Sequence, residues 1–271
     1  MTARHAITAA ARDLAEASPT PRLDAELLMA HAMGVTREVL LLGRLDDPVP
    51  DGFASLRARR LAHEPIAYIV GARAFWTIEL AVGPGVLVPR ADSETLIEAA
   101  IDHFGARAPA TILDLGTGPG TLLLAALDQW PRATGLGVDA SSHALGYADR
   151  NARNLGLAAR ATFRSGDWAT GVEGRFDLIL ANPPYIGTHE ALPREVRDHE
   201  PGGALFAGAD GLDDYRRIVP ELPRLIAPGG TAILEIGATQ ADAVSELLVA
   251  AGFAVALRRD LAGHARVLTA T

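Results

Sequence analysis

The chain has 271 residues, room for a catalytic domain and a small accessory one, and at 49% hydrophobic it belongs with folded globular proteins. It has no cysteine, which excludes disulfides, thiolate metal sites and a cysteine nucleophile. With 25 Lys and Arg against 33 Asp and Glu, the formal charge of −8 opposes broad binding to a phosphate backbone.

From the start to about Gly71 the pattern is helical, with helices expected over 7–17, 21–33, 36–42 and 51–63. Asp13, Glu16, Asp24 and Glu26 interrupt the Ala- and Arg-rich N-terminus, which has no signal-type apolar core. No apolar run reaches membrane-spanning length, so a cytoplasmic location is expected. Thr20 stands where it can cap the second helix ahead of Pro21. Gly34 ends that helix, and Thr36 can cap the third. Leu23, Leu27, Leu28 and Met29 are expected as its core face. Arg57, Arg59 and Arg60 read as a solvated helix face. Segments 76–80 and 86–88 then flank Gly83-Pro84-Gly85, a hairpin or paired linker.

Beyond the linker, helices alternate with strands. Helices are expected over 93–104, 121–129, 142–154, 213–225 and 240–251. Strands are expected over 111–115, 135–139, 161–165, 176–181, 231–236, 254–258 and 266–269. Such alternation means right-handed crossovers and a mostly parallel, doubly wound α/β sheet. The last two strands are joined too closely for a parallel crossover and should pair antiparallel. The expected organisation is a helical domain over 1–73, a hairpin linker over 74–91 and a catalytic domain over 92–271.

The chemistry gathers at strand ends, where open α/β sheets bind ligands. The strand 111–115 runs into Gly116-Thr117-Gly118-Pro119-Gly120, a loop that lets a ligand approach the backbone before a helix N-terminus. Thr121 stands where the dinucleotide fingerprint needs its last glycine, so the loop is G-x-G-x-G. Asp139, at the tip of the next strand, is placed to grip ribose hydroxyls. Asp167-Trp168 can bracket an adenine, carboxylate to the exocyclic amine and indole beside the ring. Asn182-Pro183-Pro184-Tyr185 ends the strand 176–181. Its carboxamide and a free proline carbonyl can converge on a planar NH2 group, and the Tyr ring offers a flat face.

The order DLGTGPG, VDAS, GDW and NPPY resembles the class I S-adenosylmethionine (SAM) methyltransferases that modify planar amino groups. Phe75-Trp76, the run Val88 to Thr95, His199-Glu200-Pro201, Ala204-Leu205-Phe206, Gly208 to Leu212 and Leu234 to Gly237 narrow the match. Together they resemble the protein-(glutamine-N5) methyltransferases that act on peptide chain release factors. The resemblance implies a seven-stranded, mostly parallel methyltransferase sheet with a small all-helical, substrate-recognising N-terminal domain. It implies SAM as methyl donor, S-adenosylhomocysteine as product, and class 1 release factors as partners, with the glutamine of a Gly-Gly-Gln loop as target. It implies Asn182, Pro183 and Tyr185 as catalytic and Asn182, Pro183, Pro184 and Tyr185 as the substrate turn. Gly116, Thr117, Gly118, Pro119, Gly120, Asp139, Asp167, Trp168 and Asn182 would hold the cofactor. A ribosomal-protein glutamine methyltransferase and an adenine-N6 or guanine-N2 nucleic-acid enzyme are the alternatives.

Other chemistry is sparse. Eight histidines show no metal-ligand spacing, so no metal site is expected. Ser141 reads as a helix cap. Arg90, Asp92 and Glu94 either line the cofactor mouth or pair with one another, and Glu235 reads as a structural hydrogen-bonding group. Ala74, where the family commonly has an acid, and His199, where it has an aromatic, depart from the pattern. A monomer is expected.

Overall fold

Pro21 pre-sets the first turn of the helix Pro21–Met33, and Gly34 ends it in the left-handed region at φ 64°. In the computed structural model, which describes residues 1–271, this helix belongs to the first of two units. That unit holds Met1–Ala72, Val82–Pro84 and Leu192–His199; the second holds Arg73–Ala81, Gly85–Ala191 and Glu200–Thr271.

The first unit is helical: Ala3–Asp13, Pro21–Met33, Phe53–Leu61, Ile66–Val70 and Arg194–His199. Its core is built from Ala3, Ile7, Ala10, Leu14, Leu28, Met29, Leu40 and Phe53. The first four of these recur at helical spacing and make one apolar stripe. The expected core face of the second helix needs correction. Leu23 is exposed and Leu27 half-buried, whereas Asp24 and Glu26 are buried. Ion pairing makes that burial tolerable. Arg60, itself 2% exposed, meets Asp24 at 2.6 Å and Glu195 at 2.8 Å; Glu26 takes Arg22 at 2.6 Å and Arg37 at 2.7 Å. The basic run is therefore not a uniformly solvated face. Thr20 donates its hydroxyl to Asp24 instead of capping a backbone amide, while Thr36 does accept from Val39 N. The helix expected over 36–42 lasts only Arg37–Val39 before a wider turn, Leu40–Arg44.

In the second unit the hairpin lies earlier than expected. Strands β1, Ala72–Phe75, and β2, Ile78–Ala81, pair around Trp76-Thr77, and 86–88 forms no strand. Trp76 takes the positive φ (54°) that a tight turn demands, with no glycine to announce it. Residues 74–81 are fastened within the second unit. Trp76 N donates to Glu94, the Thr77 hydroxyl to Asp128, and Ala81 N to the Asn151 side chain.

The main sheet contains β3 Thr111–Leu115, β4 Thr134–Asp139, β5 Ala161–Ser165, β6 Phe176–Ala181, β7 Ile226–Glu235, β8 Val255–Arg259 and β9 Ala265–Ala270. Their order is β5-β4-β3-β6-β7-β9-β8, parallel except for β9, which is antiparallel to both neighbours. β3, β6 and β7 contribute Leu113, Leu115, Ile179, Ala181, Ala232 and Leu234 to the core, as expected of strands buried on both faces. The helix expected over 213–225 is broken into Asp213–Ile218, Val219–Glu221 and Leu222–Leu225, because Pro220 and Pro223 each remove a helical donor. Strand order reverses between β3 and β6, which opens a crevice at their carboxyl ends.

Candidate active site

A cavity of about 370 Å³ occupies that crevice. Of the expected site residues, Gly116, Thr117, Gly118, Pro119, Asp139, Asp167, Trp168, Asn182 and Pro184 line it. Gly120, Pro183 and Tyr185 do not reach its wall.

β3 delivers the chain into the glycine loop, where Gly116, Gly118 and Gly120 all have positive φ. Gly116 has a second reason to be glycine: a Cβ there would lie 2.8 Å from the Trp168 ring. Asp139, at the end of β4, organises the loop. Its carboxylate accepts from Gly118 N at 2.7 Å and from Ser141 N at 2.8 Å. Each oxygen keeps a further lone pair for a ligand. The Ser141 side chain caps the next helix through Ala144 N.

Asp114, near the end of β3 just before the glycine loop, is a site residue missing from the expected set. It is fully buried, and its Oδ2 accepts from the Thr117 hydroxyl at 2.6 Å and from Leu123 N at 3.2 Å. Its Oδ1, buried at the cavity wall, has no partner. Burial lifts its pKa to about 7 against those two hydrogen bonds, with the Asp139 charge adding to the rise. A buried carboxylate with a free oxygen facing a cavity is a receptor for a cation. The sequence did carry a signal, an acid within the apolar strand Thr-Ile-Leu-Asp-Leu.

Around the other end of the cavity, Asp167 is paired with Arg217, and the Trp168 indole donates to Asp214 at 2.9 Å. Arg90, also on the wall, is paired with Glu200, whose second oxygen accepts from Val88 N at 3.2 Å. Asp92 instead meets Arg266 at 3.2 Å, and Glu94 holds the hairpin, so these three neighbours do not pair with one another. Asn151, buried, ties the glycine loop to β2 by donating to Pro119 O and Ala81 O.

The Asn182 turn closes the site. Asn182 Nδ2 donates to the Ser93 hydroxyl oxygen at 3.3 Å. The Pro183 carbonyl takes no part in the turn's own backbone hydrogen bonds. Gln240 fixes the turn through Tyr185 O at 2.9 Å, and the Tyr185 hydroxyl donates to Glu235 Oε1 at 3.4 Å. Burial first, and the Glu235 charge next, hold the Tyr185 phenol far above its ordinary pKa, so it stays protonated. Glu235, at the end of β7, is buried, and that burial raises its pKa to about 7.

The sheet order, the glycine loop and this cavity define a methyltransferase. A methyltransferase-domain family matches residues 107–249, and the PrmC N-terminal domain family matches residues 5–71. The chain is 43% identical over 255 residues to the release factor glutamine methyltransferase of Caulobacter vibrioides, covering 92% of this chain and 88% of that one. It is 45% identical over 261 residues to that of Rhodospirillum rubrum, covering 92% and 78%. To that of Burkholderia pseudomallei it is 42% identical over 270 residues, covering 95% and 94%. The chain belongs to the release factor glutamine methyltransferase family. Solved structures share the fold: the hMettl16 catalytic domain has a TM-score of 0.55 at 18% identity, covering 71% of this chain and 75% of that one. A methyltransferase from Pyrococcus furiosus has 0.53 at 19%, covering 80% and 97%.

Proposed function

We propose that this chain methylates the side-chain amide nitrogen of the glutamine in the Gly-Gly-Gln loop of class 1 peptide chain release factors, using SAM. The observation that carries the reading is Asn182 on the cavity wall, its NH2 held by Ser93 so that its oxygen is left to receive a substrate N–H.

SAM supplies, when bound, an electrophilic methyl on a sulfonium. The residues present suit it. Asp114 Oδ1 is a buried carboxyl oxygen lacking a partner, apt for the cationic amino-acid end. Asp139 can take ribose hydroxyls, and Trp168 with Asp167 can flank the adenine. The glycine loop admits close approach without side chains.

An amide nitrogen is a weak nucleophile because its lone pair is delocalised into the carbonyl. The Asn182 oxygen and the Pro183 carbonyl would each accept one N–H of the glutamine, fixing the plane of the NH2 group. Tyr185 would flank that plane, its hydroxyl turned away toward Glu235. Holding reactants in line can lower a barrier by roughly 7–11 kcal/mol in the best cases. Two acceptors facing a nitrogen that becomes positive add electrostatic stabilisation. The product amide then sheds its proton.

A tripeptide offers little contact area, so selectivity requires a second surface, and the helical unit is the one we assign to it. The protein is proposed to act as a cytoplasmic monomer without broad nucleic-acid binding. No helix is long and apolar enough to cross a membrane. The test is transfer of labelled methyl to intact release factor, compared with ribosomal protein and DNA. Labelling of either of the latter with none on the factor would overturn the proposal.

A further inference from the structure

Pro183 and Pro184 carry no N–H, so neither can tie the substrate turn down by donating a hydrogen bond. Part of its fastening comes from a side chain far along the chain. Gln240 Nε2 donates to Tyr185 O at 2.9 Å and to Gly211 O at 3.3 Å, with Asp210 O at 3.5 Å. Its Oε1 accepts from Gly237 N at 3.0 Å. Carbonyls on one side and an N–H on the other allow this carboxamide a single orientation.

Two glycines make room for it. A Cβ on Gly211, whose φ is 73°, would lie 2.2 Å from Tyr185 O and 2.7 Å from Gln240 Nε2. One on Gly237 would lie 2.8 Å from Gln240 Oε1. Gln240 immediately precedes the helix Ala241–Ala250, yet its side chain makes no capping hydrogen bond to that helix. Its bonds go instead to the turn, to the loop at 210–211 and to the residues just after β7. Past Tyr185 the chain runs beside 205–208: Ile186 N donates to Leu205 O at 3.0 Å, Ala207 N to Ile186 O at 3.0 Å and Thr188 N to Gly208 O at 2.9 Å. Ala204 and Asp214, which flank that stretch, are on the cavity wall, whereas Gln240 is not. The amide thus joins the turn to the wall without entering the ligand space.

We propose that Gln240 is a positioning residue for methyl transfer: by holding Tyr185 O, it sets where the Asn182 oxygen and the Pro183 carbonyl stand relative to the cavity. This rests on the proposed reaction at the Asn182 turn. Upstream, the turn is anchored by β6, where Ala181 pairs with Leu115 and Leu234. With the Tyr185 end released, only that anchor and the Ser93 contact remain, and the two acceptors drift from the line of transfer. A glutamine NH2 would still enter, but out of line with the methyl, so the loss falls on turnover more than on binding.

The test measures kcat and KM for intact release factor at saturating SAM, with S-adenosylhomocysteine affinity and urea unfolding alongside. Wild type, Gln240→Ala, Gln240→Glu, Asn182→Ala and the Gln240→Ala, Asn182→Ala double variant are compared. Gln240→Glu keeps the length and the acceptor for Gly237 N, but sets a carboxylate oxygen against the carbonyls. Both Gln240 variants should lower kcat at least about tenfold, with KM and S-adenosylhomocysteine affinity within about threefold. On top of Asn182→Ala, the Gln240→Ala change should lower kcat by no more than about twofold, because what it positions is gone. A merely structural residue would cost the same in either background. If Gln240→Ala fails to fold, Gln240→Glu takes its place, alone and combined with Asn182→Ala. Near-normal kcat in folded Gln240 variants, or the same fractional loss in both backgrounds, would overturn this proposal only. A wild type that methylates no factor would overturn the proposed reaction as well.

Discussion

Replacing Asp114 by Asn tests the cofactor end of the site, because the carboxylate combines full burial with one unpartnered oxygen on the cavity wall. A hydrogen bond to a charged group contributes about 1.5–3 kcal/mol, so Asp114→Asn should weaken S-adenosylhomocysteine binding about 10- to 150-fold. The pH dependence provides a sharper signature. Without ligand the carboxyl has a pKa of about 7, and a bound cation favours the ionised form, so protons compete with the ligand. Wild-type Kd should therefore be about tenfold weaker at pH 6 than at pH 8, and the Asn variant should lack that slope. The stability sign is opposite for the free protein. A pKa raised above its unfolded value means that the folded state holds the proton more tightly. This contribution to stability is present at acid pH and is lost as pH rises from about 4 through 7. Isothermal calorimetry of both proteins at pH 6, 7 and 8 is the assay. A wild-type Kd that is flat over this range, with a variant Kd within twofold, would refute the reasoning.

Asn182→Ala should lower kcat on the release factor about 100-fold or more while changing SAM affinity little, since the lost contact serves the transition state; steady-state kinetics with a separate binding isotherm check it. Asp139→Ala should weaken SAM by about 1.5–3 kcal/mol or more in calorimetry, because the carboxylate also holds Gly118 N and Ser141 N in the loop. Arg60→Ala should cost about 3–5 kcal/mol in urea unfolding, because it strands Asp24 as a buried unpaired charge, whereas Arg60→Met combined with Asp24→Leu should recover most of that.

Much of the catalytic unit was legible because its signals are local. Strand–helix alternation, the helices Thr121–Gln129 and Ser142–Asn154, and the short link between the last two strands all carry their cause within a few residues. The glycine loop and the Asn182 turn were readable for the same reason. What escaped was set by partners far along the chain. Nothing near Arg60 in sequence says that Asp24 and Glu195 will bury it, and nothing near Leu23 says that charged neighbours will take the inner face of its helix. The hairpin turn at Trp76-Thr77 has no glycine or asparagine to mark it, and the Gly83-Pro84-Gly85 segment drew the expected turn away from it. The packing of Leu192–His199 with the helical unit also bears on experiment. Removing residues before Gly71 would strip that segment of its partners, so surface substitutions on the helices are the cleaner probe of recognition.

The central claim is the identity of the methylated atom. Intact class 1 release factor, incubated with this protein and SAM and then digested, should yield by tandem mass spectrometry a Gly-Gly-Gln peptide carrying one methyl on the glutamine side-chain nitrogen. The Asn182→Ala protein should yield almost none. An unmodified glutamine, with the methyl found on another residue of the factor or only on a ribosomal protein or nucleobase, would contradict the account.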